Sequence, residues 1–183
     1  MSLTQYYTAT TLDGFIADPE HSLEWLFTRD QDGEGLLNYE EFIAGVGALA
    51  MGSSTYEWIL DHEFAGKDPA EWKWPYDIPC WVFTSRQLQV VPGAQIEFVR
   101  GDVAPVHAEM AAAAGDRNLW IVGGGDLVGQ FADAGLLDEV IVYIAPVTLG
   151  AGAPLLARRV ELRLEETGRN GDFVASRYSV ARG

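Results

Sequence analysis

The residues with the clearest chemistry lie between Leu119 and Phe131, which read Leu-Trp-Ile-Val-Gly-Gly-Gly-Asp-Leu-Val-Gly-Gln-Phe. An apolar run suited to a buried strand enters Gly123, Gly124 and Gly125, and a helical pattern opening with Asp126 and Leu127 follows. In an open α/β sheet, ligands bind beyond the carboxyl ends of the strands. Glycines there let backbone amides approach a pyrophosphate, and a helix N-terminus adds partial positive charge. The spacing makes Asp126 the candidate N-cap of that helix. The same pattern also makes a plain strand-to-helix turn, since glycine serves turns without any ligand. It is not the Gly-x-Gly-x-x-Gly dinucleotide fingerprint. Gly45-x-Gly47-x-x-Ala50 comes nearer to that fingerprint but follows a helical stretch, the wrong context.

Two other strand ends carry related groups. Met51-Gly-Ser-Ser-Thr-Tyr-Glu57 runs an apolar segment into Gly52 and then sets Ser53, Ser54 and Thr55 at a helix start. Val82-Phe-Thr-Ser-Arg86 ends a strand in the hydroxyls of Thr84 and Ser85 and the guanidinium of Arg86. Ser/Thr caps and surface arginines are common without ligands. Three such strand ends in one small sheet point more strongly to a shared anionic ligand than any one of them does.

A competing motif lies at Asp30-Gln-Asp32-Gly-Glu34-Gly35-Leu-Leu-Asn38-Tyr-Glu-Glu41. It fits a calcium-binding EF-hand loop: acids at positions 1, 3 and 5, Gly at 6, Asn at 9 and Glu at 12. EF-hands normally pair, and no second loop is present. The expectation is an acidic surface loop whose charges favour the following helix N-terminus, with a weak calcium site as the alternative. No metal site is assigned, since His21, His62 and His107 lack ligand spacing. No Gly-x-Ser-x-Gly elbow occurs. Cys80 reads as a small core residue. Trp58, Trp72, Trp74 and Tyr76 read as packing or a dimer surface in preference to a stacking site.

The elements that must position these groups alternate. Apolar runs at 48–51, 81–84, 95–99, 119–122 and 140–145 read as strands, several covered on both faces. Helical patterns occupy 39–47, 55–60, 106–114 and 126–134. Strand–helix alternation predicts a mostly parallel sheet with flanking helices. The end differs: 160–167 and 173–180 alternate around Asn170-Gly171, an antiparallel hairpin at one sheet edge. The expected fold class is three-layer α/β with a mixed sheet, as one domain over residues 1–183.

Composition narrows the functions. Of 183 residues, 48% are hydrophobic and 21% charged, a globular balance. No apolar run of about 18 residues is present, so no membrane-spanning helix is expected. The N-terminus shows no signal-peptide pattern. The single cysteine fits a reducing cytoplasm. Twelve basic against 27 acidic residues give a net charge of −15, which disfavours nucleic acid and anionic lipid. An anionic ligand must therefore be held by local devices.

The chain resembles the dihydrofolate-reductase-like superfamily, in the branch of the riboflavin-biosynthesis deaminase/reductase C-terminal domain and its stand-alone bacterial relatives. Four stretches carry the resemblance: Thr11-Leu-Asp-Gly-Phe-Ile-Ala17, Met51 to Glu57, Trp81 to Arg86, and Trp120 to Phe131 continuing through Gly135-Leu-Leu-Asp-Glu-Val to Ala145-Pro-Val-Thr-Leu-Gly150. The resemblance implies an NADPH-dependent reductase of a small heterocyclic or carbonyl substrate. Its models are 5-amino-6-(5-phosphoribosylamino)uracil reductase and dihydrofolate reductase. It implies that Gly123, Gly124, Gly125, Asp126 and Leu127 hold the cofactor pyrophosphate. Gly52 to Thr55 and Thr84-Ser85-Arg86 would hold the adenosine phosphates. The loop at Asp13, with Ile16 and Ala17, would border the nicotinamide. It also implies a homodimer.

Two departures from the family pattern stand out. Ser53 and Ser54 replace basic residues that favour the 2′-phosphate, which leaves the choice between NADPH and NADH open. Asn38 occupies the position of the pterin-binding acid, so no catalytic residue is assigned. A non-catalytic nucleotide-binding or calcium-responsive module on the same fold is the alternative.

Overall fold

The computed structural model describes residues 2–181. In chain order the elements are β1 (Thr4–Thr11), β2 (Phe15–Ala17), α1 (Glu24–Phe27), α2 (Tyr39–Ala44), β3 (Val46–Gly52), α3 (Ser53–Phe64), β4 (Cys80–Phe83) and β5 (Ile96–Val99). They continue as α4 (Val103–Ala114), β6 (Asn118–Gly123), α5 (Gly125–Asp133), β7 (Glu139–Ala145), β8 (Ala153–Pro154), β9 (Leu162–Asn170) and β10 (Phe173–Val180). Eight strands form one sheet in the order β5-β4-β3-β6-β1-β7-β10-β9. The first six in that order run parallel, while β10 is antiparallel to β7 and to β9. The expected mixed sheet with a C-terminal antiparallel hairpin at its edge is what forms. Among the described residues no helix is long and apolar enough to cross a membrane.

Alternation along the strands divides the core. From β3, Leu49 and Met51 face one side with Tyr56, Ile59 and Phe64 of α3. Ala48 and Ala50 face the other side with Val106 and Met110 of α4 and Val128 and Phe131 of α5. The alanines leave room for α4 to approach closely.

That approach corrects one boundary. The helical pattern at 39–47 ends at Ala44, and Val46 and Gly47 already belong to β3. A Cβ at Gly47 would lie 2.8 Å from the Cα of Ala114, so the residue must be bare where α4 crosses the strand. Val46 is therefore a strand residue and not part of a helix face packed on the sheet. The helices expected at 55–60 and 106–114 both start earlier, at Ser53 and Val103.

The strand β1 has no counterpart among the expected elements, yet it lies between β6 and β7. Its sequence, Thr-Gln-Tyr-Tyr-Thr-Ala-Thr-Thr, is polar by composition and shows no apolar run. Thr and Tyr nonetheless suit strands, and the buried polar groups are paired. Thr4 Oγ1 lies 2.8 Å from His107 Nε2, Thr10 Oγ1 donates to the Phe15 carbonyl at 3.1 Å, and Gln5 Nε2 donates to Glu139 Oε2 at 2.6 Å.

Candidate functional site

The chain leaves β3 into α3 on one face of the sheet and leaves β6 into α5 on the other. Because β3 and β6 are neighbours, their carboxyl ends flank a crevice at which the connections diverge, the topological switch point where ligands enter open α/β sheets. A cavity of about 700 Å³ opens there.

One end of the cavity is built from backbone. Gly52 is the N-cap of α3 and Gly124 the N-cap of α5, and neither helix start has a side-chain cap. Both sets of leading N–H groups are thus left to water or ligand. Gly52, Ser53, Ser54 and Thr55 line the cavity from α3, and Gly123 to Leu127 line it from α5. The Gly123–Gly124 peptide is cis. At Gly125 a Cβ would run into the carbonyl oxygens of Pro154 and Leu155, so only glycine lets the β2–β8 ribbon lie over the start of α5. Gly124 differs: its nearest neighbour to a new Cβ is Ile16 Cδ1 at 3.9 Å, across open space. That ribbon also brings Ile16 and Ala17 into the wall.

Asp126 corrects its expected role. It is the second residue of α5, behind the Gly124 cap, and its carboxylate accepts from Gln130 Nε2 at 2.9 Å and pairs with Arg158 at 3.1 Å.

Four expected site residues stand outside the cavity wall. Asp13 accepts from Thr11 Oγ1 at 2.6 Å and from the amides of Leu149 and Gly150 at 3.1 and 2.7 Å. The Thr11 hydroxyl, aided by the two amides, holds its carboxyl below the usual aspartate range. Asp13 therefore braces the loop that enters β8. Thr84, Ser85 and Arg86 follow Phe83, which does line the wall. The Arg86 guanidinium forms a bidentate pair with Glu57 of α3 at 2.6 and 3.0 Å.

The other end is built from side chains that motif reading missed. Trp120 stands edge-on to Tyr39 and Tyr76, with ring centroids at 6.0 and 5.7 Å. Tyr7 stacks on Phe42 at 4.2 Å and approaches Tyr143 at 5.7 Å. Trp58 and Tyr76 belong to the wall, whereas Trp72 stacks on Phe64 and Trp74 packs against Tyr56. All four aromatics pack against neighbouring rings, and Trp58 and Tyr76 also face the cavity. Burial pushes the phenols of Tyr7 and Tyr76 well up, and that of Tyr39 in the same direction, so all three stay protonated hydrogen-bond donors at neutral pH.

The acidic segment 30–41 frames this end. Asn38 caps α2 by accepting from the Glu41 amide at 2.9 Å, and its Nδ2 donates to the Gly35 carbonyl at 3.1 Å. Its side chain is spent on the helix start and does not line the cavity. Asp32 Oδ1 accepts from the Glu34 amide. Among the described residues no group of three or more Asp, Glu, His or Cys converges as metal ligands would. The segment is tied down from across the fold. Buried Asn170 accepts from the Asp32 amide at 2.9 Å and donates to the carbonyls of Asp32 and Leu36 and to the Tyr143 hydroxyl. The Tyr143 and Tyr7 hydroxyls in turn donate to the Leu36 and Leu37 carbonyls. The available signal was positional: aromatic residues on central strands, one or two pairs before the carboxyl ends.

Comparison with known proteins agrees with this fold. The chain is 33% identical to the uncharacterised protein YwjB of Bacillus subtilis (strain 168) over 181 residues, covering 96% of each. A Shewanella sp. PV-4 crystal structure, of a protein assigned provisionally to riboflavin biosynthesis, superposes with a TM-score of 0.80 at 25% identity, covering 98% of this chain and 99% of that one. Dihydrofolate reductase of Enterococcus faecalis, complexed with NADP(H), shares the fold alone: TM-score 0.55, 14% identity, 98% and 97% coverage. The family model described as the RibD C-terminal domain matches residues 4–170, and the chain belongs to that family.

Proposed function

We propose that the protein is an NADPH-dependent reductase of a small heterocyclic or carbonyl substrate. The observation that carries this reading is the pair of uncapped, glycine-started helices that leave opposite faces of the sheet and open on one cavity. Two helix N-termini favour an anion by about 0.3–1 kcal/mol each where solvent reaches them, and by more when partly buried. A pyrophosphate suits that end.

In this reading Gly123 to Leu127 and Gly52 to Thr55 hold the pyrophosphate. Ile16 and Ala17 border the nicotinamide. Thr84, Ser85 and Arg86 attend the adenosine phosphates from the rim, with Arg86 shared between ligand and Glu57. When bound, NADPH supplies the hydride. The chain's own residues hold the substrate ring among Trp120, Tyr7 and Tyr39, exclude water from it and present donors to its oxygen or nitrogen. Among the described residues the Tyr39 and Tyr76 hydroxyls have no hydrogen-bond partner and are free to do so. A homodimer fits the same reading. The edge hairpin exposes Leu162, Leu164 and Val174, which a second copy would cover.

Calorimetric titration with NADPH tests the proposal. One-to-one binding that Gly124→Asp weakens is the expected result. Unchanged affinity in a folded Gly124→Asp protein would remove the site.

A further inference from the structure

The two ends of the cavity differ in how they can treat charge. The helix end offers backbone N–H groups and positive partial charge. The aromatic end offers rings, with Thr8, His21, Gln31, Tyr39 and Tyr76 as its polar groups. No lysine or arginine is in the wall at all, among the described residues. Arg86 is engaged by Glu57 outside it, and Arg158 by Asp133 and by the wall residue Asp126. Arg29, two residues before the wall residue Gln31, does not contribute to the lining. The chain as a whole carries a net charge of −15. An anionic group on the substrate would lose water there and gain no cation, an arrangement that proteins avoid.

We propose that the substrate is an uncharged planar ring bearing a carbonyl, without the phosphate that a phosphoribosyl pyrimidine carries. This rests on the reductase reading and names the substrate class of that same site. Rings of that class pack against the aromatic wall at Trp120 and Tyr7 and take hydrogen bonds from Tyr39 and Tyr76, at no cost in buried charge.

The test uses a matched pair of probes, 1,4-naphthoquinone and its 2-sulfonate, read by quenching of tryptophan fluorescence. Both react with thiols, but the one cysteine, Cys80, is buried. Binding is measured at about pH 8, above the ordinary histidine range. It is measured twice, with saturating NADP⁺ and in Gly124→Asp without cofactor, since either removes the helix N-termini as a rival anion site. The expected result is at least tenfold tighter binding of the neutral quinone, with Gln31→Arg closing or reversing the gap by strengthening the sulfonate alone. Sulfonate binding as tight as that of the neutral ring, sulfonate binding that Arg29→Gln abolishes, or no binding of either ring would each overturn the proposal. The reductase reading fails separately, if NADPH does not bind the unsubstituted protein. The Gly124→Asp comparison still judges the substrate class in that event.

Discussion

The two ends of the cavity are made of different materials. At the helix end the groups that face a ligand are main-chain amides, and the sequence contributes mainly by leaving side chains out: Gly52, Gly124 and Gly125. At the aromatic end the facing groups are side chains from β1, α2, β6 and β7, and they hold position through the hydrogen bonds of Asn170, Tyr143 and Tyr7. A site made from backbone is as rigid as the sheet that carries it. A site made from side chains is as rigid as the network behind them. Substitutions should therefore act differently at the two ends.

The largest effect is expected behind the aromatic end. Asn170→Ala leaves the Asp32 amide without its partner and takes one of two donors from the Asp32 and Leu36 carbonyls, which keep the Gly35 amide and the Tyr143 hydroxyl. An unpaired buried group costs about 1–3 kcal/mol, so a stability loss of about 2 kcal/mol is expected in chemical denaturation. NADPH affinity should stay within about twofold, because the helix end does not share the network. A parallel loss of cofactor binding would erase the distinction between the ends.

Next comes Gly124→Asp, where a new Cβ meets only Ile16 Cδ1 at ordinary contact distance. NADPH affinity should fall more than tenfold, about 1.4 kcal/mol, with the melting temperature nearly unchanged. A collapse in melting temperature would mean that the position is structural, like Gly125.

Arg86→Ala should act more weakly, since the exposed guanidinium already has Glu57. A loss of about threefold to tenfold for NADPH, and less for NADH, is expected if it reads the 2′-phosphate. Equal losses for both cofactors would place it elsewhere on the nucleotide.

The smallest effect is a pH effect at Asp13. Its folded carboxyl is held below the ordinary aspartate value, so its contribution is complete above about pH 4 and disappears as pH falls through the lower folded value. The melting temperatures of the protein and of Asp13→Asn should differ by a constant amount between about pH 5 and 8, and converge below about pH 4. A difference that varies across neutral pH would show that another group titrates with the loop.

The same contrast explains what could be read from the chain alone. Backbone-built features leave local traces: a strand running into Gly123-Gly124-Gly125, or Gly52 ahead of two serines and a threonine. The mixed sheet and its terminal hairpin were legible for the same reason, through periodicity and the Asn170-Gly171 turn. Side-chain convergence leaves no such trace. Tyr7, Tyr39, Trp120 and Tyr143 lie on four separate elements, and only the register of β1 between β6 and β7 brings them together. That register was hidden because β1 is rich in threonine. The segment 30–41 misled for a related reason. Its carboxylates and amides follow a calcium-loop spacing, but Asp32 and Asn38 serve a turn and a helix cap, and their anchor is far away in the chain.

That distance has a consequence for how the site comes into being. Asn170 and Asp32 are separated by 138 residues. Synthesis delivers the helix-end glycines and most of the aromatic rings well before the residue that locks the rings in place. While the chain emerges at about 5–20 residues per second, the aromatic wall waits for the hairpin, and long-range closure of this kind is slow. The helix-end glycines therefore emerge ahead of the residue that holds the aromatic wall in place.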